Sequence, residues 1–169
     1  EYKPGLMRSG AFTDDMVKVG DYWYYEVPLA AGANQYWFYI DGNTRYMAPD
    51  PNNKPQWSPN SNAATKNAYN AVYVPYDEKQ DYEPMADRAK YENPRTDGKT
   101  GTWSYVKLPD ELGEEKYVGV YLPYGYDANR EEPYKTIYMQ HGSGQDASDW
   151  MNIGSVPHIM DNLLAEGKT

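Results

Sequence analysis

Cysteine is absent from the 169 residues, which excludes a disulfide framework and a thiolate metal site and leaves the redox compartment unread. Histidine occurs only twice. Neither imidazole has a second histidine or a carboxylate at ligand spacing, so no metal and no cofactor is expected. Basic residues are in deficit: 16 Lys and Arg against 25 Asp and Glu give a net charge of −9. The resulting isoelectric point near 4.7 repels polyanions at long range, which argues against nucleic acid or an anionic membrane and in favour of a neutral substrate. Long apolar runs are missing too. With a mean hydropathy of −0.94, no window is apolar enough to cross a bilayer. Nor does Glu1 open a positively charged leader with an apolar core, so any export signal is expected to have been removed.

Aromatic residues are abundant instead, 15% of the chain, as 19 Tyr and 5 Trp against 2 Phe. Tyrosine joins a flat apolar face to a polar tip, which suits half-exposed β surfaces and sugar-contacting platforms alike. Residues 1–75 read as short strands between turns. In Asp21–Val27 the residues Trp23, Tyr25 and Val27 share one face and Tyr22, Tyr24 and Glu26 the other, the period of a half-buried strand. Gln35–Ile40 is a second strand. It runs into Asp41-Gly42, a hairpin signal because the glycine accepts a positive φ, and residues 44–48 form the return strand. If Tyr36, Phe38 and Ile40 are core, Trp37 and Tyr39 are exposed. Such a pair either stacks on pyranose rings or packs against the rest of the chain. Residues 49–70 are crowded with Pro, Asn and Ser and read as a long surface loop, with Ala71–Val74 a last strand before Pro75. Asp41 and Asp50 are accounted for by turn formation rather than by a calcium site.

From Tyr76 to Thr100 charges and prolines dominate and apolar periodicity vanishes, the composition of a linker laid along the surface. Trp103–Leu108 and Lys116–Leu122 read as two antiparallel strands joined around Gly113. Further on, Ser155 can cap a helix, Pro157 tolerates its first turn, and Val156, Ile159, Met160, Leu163 and Leu164 fall at helical spacing before Gly167 as a stop. His158 lies on the polar side of that stripe and reads as a solvated surface residue.

The stretch Tyr134–Trp150, YKTIYMQHGSGQDASDW, carries the chemistry. An apolar run, Thr136–Met139, reads as a strand breaking off at His141-Gly142-Ser143-Gly144, a glycine-bracketed turn that lets backbone N–H groups come close to whatever lies at the strand end. Taken alone, this loop is equally an oxyanion hole and a plain strand-to-helix turn needing glycine. Ser143 lacks the G-x-S-x-G pattern of a nucleophile elbow, which occurs nowhere in the chain, so its backbone N–H rather than its hydroxyl is the functional candidate. Asp146 reads as a helix-start cap and Trp150 as a core side chain or a substrate contact.

The order of strand, VYLPYGYD, acidic insert, YKTIYMQHGSG and a helix ending in DNLLAEGK resembles the start of a family 1 carbohydrate esterase, the feruloyl and acetyl-xylan esterases of the α/β-hydrolase class. The first half, with DYWYYEVPL, then G and Y-W-F-Y-I-D-G, then Asp50-Pro51-Asn52, resembles the immunoglobulin-like module of the family 48 carbohydrate-binding type that precedes such esterases. The resemblance implies an all-β immunoglobulin-like sandwich over residues 1–78, a linker over 79–100, and the first strands and helix of an α/β-hydrolase domain over 101–169.

It further implies a secreted or cell-surface serine esterase that releases feruloyl or acetyl groups from xylan without a metal. Ser143 and Gly144 would give oxyanion N–H donors, and Trp150, Trp37 and Tyr39 would contact substrate. The nucleophile, acid and base are then expected in a C-terminal part of the esterase domain beyond Thr169, and residues 1–169 alone are expected to be inactive. In the resembled family the triad histidine comes late, so His141 is expected to order the loop. Gln145 stands where the family often has glycine. The rival readings are a carbohydrate-binding module with a structural extension and a non-binding spacer.

Overall fold

The computed structural model describes residues 4–8, 12–41, 43–48, 50–53, 55–61, 70–109, 113 and 115–168, with backbone alone at 4–8, 12–14 and 43–47. The order is β1 (Pro4–Arg8), β2 (Phe12–Asp15), β3 (Val17–Val19), β4 (Tyr22–Tyr24), β5 (Gly32–Ile40), β6 (Asn43–Ala48), β7 (Asn70–Val74), α1 (Pro84–Glu92), β8 (Thr102–Leu108), β9 (Lys116–Leu122), α2 (Asp149–Asn152) and α3 (Val156–Ala165). All pairings among the described strands are antiparallel. The fold is a set of small antiparallel strand groups joined by a few helices.

Strand β5 is the centre of a five-stranded sheet. Tyr36 pairs with Arg8 of β1 and also with Asn70 of β7, so β1 lies on one edge of β5 and β7 on the other. Strand β6 returns beside Phe38–Ile40 after a two-residue connection. There the positive φ falls on Asp41, at 55°, a residue type that tolerates the left-handed region. Gly42, to which the sequence assigned that role, lies outside the described residues, as do 62–69 of the long loop.

The described part of that loop is pinned by side-chain amides. Buried Asn70 accepts from Asp50 N–H (3.0 Å) and donates to Tyr36 O (3.0 Å). Asn53 donates to Ala71 O (2.7 Å) and to the Tyr36 hydroxyl (3.1 Å). Asp50 takes the turn role read from the sequence, accepting Asn52 N–H at 2.8 Å, and its other oxygen accepts the Tyr36 hydroxyl proton at 2.5 Å. Burial and the Asp50 carboxylate push that phenol up to about 12.

The hairpin β3–β4 keeps the alternation read from the sequence. Tyr22, Tyr24 and Glu26 are exposed while Trp23, Tyr25 and Val27 are half-buried. Its regular part is shorter than the expected strand: the ladder among the described residues joins Tyr22–Tyr24 to Val17–Val19.

The segment read as a linker holds helix α1. Its first turn uses Pro84, whose missing N–H is no loss at a helix start, and Ala89 is buried. The helix clamps the start of β5: Glu92 accepts Ala33 N–H (2.8 Å) and pairs with Arg88 (2.9 Å), while Arg88 donates to Ala33 O. Gly32 is required here twice over. Its φ is +98°, and a Cβ would stand 2.7 Å from Arg88 Cγ.

Helix α3 begins and ends near the expected residues. Its C-terminus is a Schellman motif, with Gly167 N–H on Leu164 O (3.0 Å), Lys168 N–H on Leu163 O (3.1 Å) and Gly167 at φ +66°. Side chains of α3 in turn close the C-terminus of α1, where carbonyls lack helical partners. Asn162 donates to Tyr91 O and Asn93 O, both at 3.0 Å, and His158 Nδ1 lies 3.1 Å from Glu92 O. The His158 ring also stands edge-on to Tyr73, centroids 4.9 Å apart. The surface reading of His158 is therefore corrected. It sits in the seam between β7, α1 and α3, where burial lowers its pKa.

The hairpin β8–β9 forms where expected, with seven paired positions. Asp161 of α3, buried at 6% exposure, ties it down by accepting Gly101 N–H and the Tyr121 hydroxyl, each at 2.6 Å. Burial, reinforced by that carboxylate, drives the Tyr121 phenol far above its ordinary range. Gly101 admits no side chain, because a Cβ would meet Leu122 O at 2.4 Å. Among the described residues the buried set holds the apolar Ala31, Tyr39, Ala89 and Pro157 against seven polar side chains. The parts are thus joined by buried hydrogen bonds more than by one large apolar core.

Candidate active-site loop

The run Thr136–Met139, expected to be a strand, carries no regular secondary structure. Ile137, Tyr138 and Met139 are 67%, 92% and 46% exposed. An apolar run becomes a strand only when other strands satisfy its N–H and C=O groups, and among the described residues none pairs with it.

The following residues form a closed turn. Gln145 N–H donates to Gly142 O (3.3 Å), with Gly144 at φ +76° in the third position. That geometry needs glycine. The Gln145 side chain folds back so that its Oε1 accepts Gly142 N–H at 2.8 Å, and His141 Nδ1 lies 2.9 Å from Gly142 O. The loop is thus ordered from both sides by the two side chains that flank Gly142-Ser143-Gly144. Ser143 is exposed. The N–H groups of Ser143 and Gly144 make no hydrogen bond within the described residues, while that of Gly142 is occupied by Gln145.

Behind the turn the chain is anchored. Asp146 Oδ1 accepts Ser148 N–H (2.8 Å) and the Ser148 hydroxyl, and Asp149 Oδ2 accepts Asp146 N–H (2.7 Å). These bonds close the turn that leads into α2, whose N-cap is Ser148 without a side-chain capping bond, so the cap read for Asp146 is corrected to a turn role. The fully buried Ser148 also accepts Ser58 N–H (3.2 Å) and meets the Ser61 hydroxyl at 2.9 Å. Asn152 donates to Gln56 O (3.0 Å), an oxygen that also receives the Tyr105 hydroxyl (2.8 Å). Burial pushes the Tyr105 phenol up to about 12.

The loop of residues 55–61 is therefore the bed on which the Asp146–Asn152 segment rests. Sequence reading missed Ser148. Nothing local in D-A-S-D distinguishes a hydroxyl that bonds 90 residues away from one that merely starts a helix.

The remaining substrate-contact candidates divide. Trp150 is 40% exposed, and its indole N–H donates to Gln140 O at 2.9 Å. It is fixed on the surface beside the turn instead of lying in a core. Gly154 packs beneath it, since a Cβ there would stand 2.9 Å from Trp150 Cε3. Tyr39 corrects the exposed-pair expectation: it is 4% exposed, and its hydroxyl donates to Asp15 at 3.2 Å. Trp37 is half-buried with its indole nitrogen enclosed. Alternation did not show that both faces of β5 are covered: Tyr36, Trp37, Phe38 and Ile40 are all half-buried and Tyr39 is buried, because covering depends on what the rest of the chain lays against the strand. The structure brings Ser143, Gly144 and Trp150 into one surface segment. Trp37 and Tyr39 belong to the sheet.

Among the described residues no cluster of His, Asp and Glu can hold a metal ion, and no helix is long and apolar enough to cross a membrane. No family model matches the chain. Among curated proteins it is similar to the endo-1,4-beta-xylanase/feruloyl esterase of Xylanibacter ruminicola, with 40% identity over 62 residues, 35% of this chain. The chain spans 8% of the length of that relative, so the similarity is to one segment of a much longer protein.

Proposed function

We propose that this chain is part of a xylan-acting carboxylic ester hydrolase that releases feruloyl or acetyl groups by serine acyl transfer. The observation that carries the reading is the 40% identity to a xylanase/feruloyl esterase segment. The ordered turn at Gly142–Gln145 supports it, because its two unengaged N–H groups are the kind of preformed donor that stabilises an acyl oxyanion. On this reading residues 1–78 are an immunoglobulin-like carbohydrate-binding-type module, 79–100 connect, and 101–169 begin an α/β-hydrolase domain of a secreted or cell-surface enzyme. Ser143 and Gly144 act through backbone N–H groups, Trp150 borders the acyl or sugar site, and nucleophile, acid and base come from a further C-terminal segment. The partner is feruloylated or acetylated xylan. No nucleic acid or membrane takes part.

The test uses a polypeptide that joins these residues to a segment containing G-x-S-x-G. Ser143→Pro deletes the N–H at a turn position that proline favours, and kcat on methyl ferulate should fall roughly 10²-fold. Ser143→Ala keeps the N–H and should leave kcat within about twofold. Hydrolysis by residues 1–169 alone that Ser143→Ala abolishes would contradict the assignment. A second reading is a carbohydrate-binding or spacer unit without catalysis. It predicts retention on insoluble xylan, or none, with no turnover in any joined form.

A further inference from the structure

A cavity of about 520 Å³ opens between the start of β5, helix α1 and the segment leading into α3. That volume is in the range of small-molecule sites. Ser155 lines it. Its side chain is 3% exposed and makes no capping bond to its helix, although it occupies the N-cap of α3. No other hydrogen bond to its hydroxyl exists among the described residues. Ser155 thus leaves its hydroxyl, a donor and acceptor, unused on the wall of this cavity. Its backbone, at φ +51°, is held in a region that serine seldom adopts.

The chemistry of the wall selects the ligand. Asn34 spends its amide N–H₂ on Ala30 O (2.7 Å) and Gly32 O (3.1 Å), and Gln35 spends one N–H on Ile153 O (3.2 Å). Their carbonyl oxygens remain to accept. Arg88 is matched by Glu92 at 2.9 Å, so the formal charges cancel and a phosphate or free carboxylate would have to displace Glu92. What remains is acceptors from two amides and a hydroxyl that both gives and takes, beside the apolar Pro28, Leu29 and Ile153. Groups that donate and accept at adjacent carbons satisfy this set, and vicinal sugar hydroxyls are such groups.

We propose that this cavity binds one uncharged sugar unit of a polysaccharide chain, with Ser155, Asn34 and Gln35 as its hydrogen-bonding partners. The site lies apart from the Gly142–Gln145 turn, none of whose residues lines it. Resting on the xylan reading above, it gives the chain a substrate-holding subsite where α1 joins the sheet.

The test is amide chemical-shift mapping of residues 1–169 with xylotriose, alongside retention on insoluble xylan. Xylotriose should move amides of residues 28–35 and 153–156. Ser155→Gly removes the hydroxyl and suits the positive φ, and it should weaken that binding about fivefold while the thermal midpoint holds or rises. Ala30→Leu, at an exposed rim position, should close the mouth and abolish the shifts. The proposal is overturned if the cavity amides do not move, if they move equally in both variants, or if sodium acetate moves them as strongly as xylotriose. Retention on xylan without movement at the cavity sinks the subsite and leaves the polysaccharide reading standing. Loss of both sinks both.

Discussion

Two tyrosine-rich runs, Gln35–Ile40 and Tyr134–Met139, have similar apolar patterns and different fates. The first lies inside β5, paired along both edges and carrying the buried Tyr39. The second is unpaired, and Tyr138 is 92% exposed. The difference is supplied by other segments. For β5 the chain provides β1, β6 and β7 together with the clamp from Arg88 and Glu92, whereas no described strand bonds to Tyr134–Met139. A strand is a relation between segments, so the same apolar signature can mark a sheet centre or a surface awaiting one.

Substitution at the two tyrosines sharpens the contrast most. Tyr39→Ala should destabilise the fold by about 3–5 kcal/mol in urea titration, the range for emptying a large buried aromatic site. Tyr138→Ala should stay within about 0.5 kcal/mol. Equal effects would erase the distinction between the runs.

The next largest effect concerns the polar joint. Asp161→Ala leaves Gly101 N–H and the Tyr121 hydroxyl without their acceptor and should remove about 3 kcal/mol. If the loss is below about 0.5 kcal/mol, the level typical of surface sites, the α3 joint is not what holds the β8–β9 hairpin.

A smaller, pH-dependent effect belongs to His158. Its folded pKa lies below the ordinary 6.5 because burial disfavours the cation. Below pH 6.5 the unfolded chain therefore binds a proton that the folded chain refuses. Stability is full above that pH and declines as pH falls from 6.5 through the folded pKa. Urea midpoints followed from pH 8 to 5 should show this decline. His158→Gln should flatten it. A decline of the same size in the variant would assign it to other groups.

The smallest effect is expected at Ser143. Because its hydroxyl is exposed, Ser143→Ala should change stability by less than about 0.5 kcal/mol. A larger loss would mean that the hydroxyl, and not only the backbone, supports the turn.

Elements governed by local rules were legible in the sequence: the alternation at Trp23–Val27, the β8–β9 hairpin, and the Gly167 stop of α3. Helix α1 was not, because its stability comes from Arg88 and Glu92 bonding to Ala33 far away in sequence and not from an apolar stripe of its own. His158 was misread for the same reason, since its position on a helical wheel said nothing of Tyr73 or of the Glu92 carbonyl. At the candidate site, the glycine turn was visible as a motif. The side chains that order and anchor it, Gln145 and Ser148, became apparent only once the turn had closed and the loop of residues 55–61 lay beneath it.

Native-state hydrogen exchange resolved by residue tests most directly whether β5 organises the folded unit while the approach to the glycine turn stands unpaired. Amides of Tyr36–Ile40 should exchange only through opening close in free energy to global unfolding, and those of Thr136–Met139 at nearly the rate of a free chain. Comparable protection in the two runs would contradict the account.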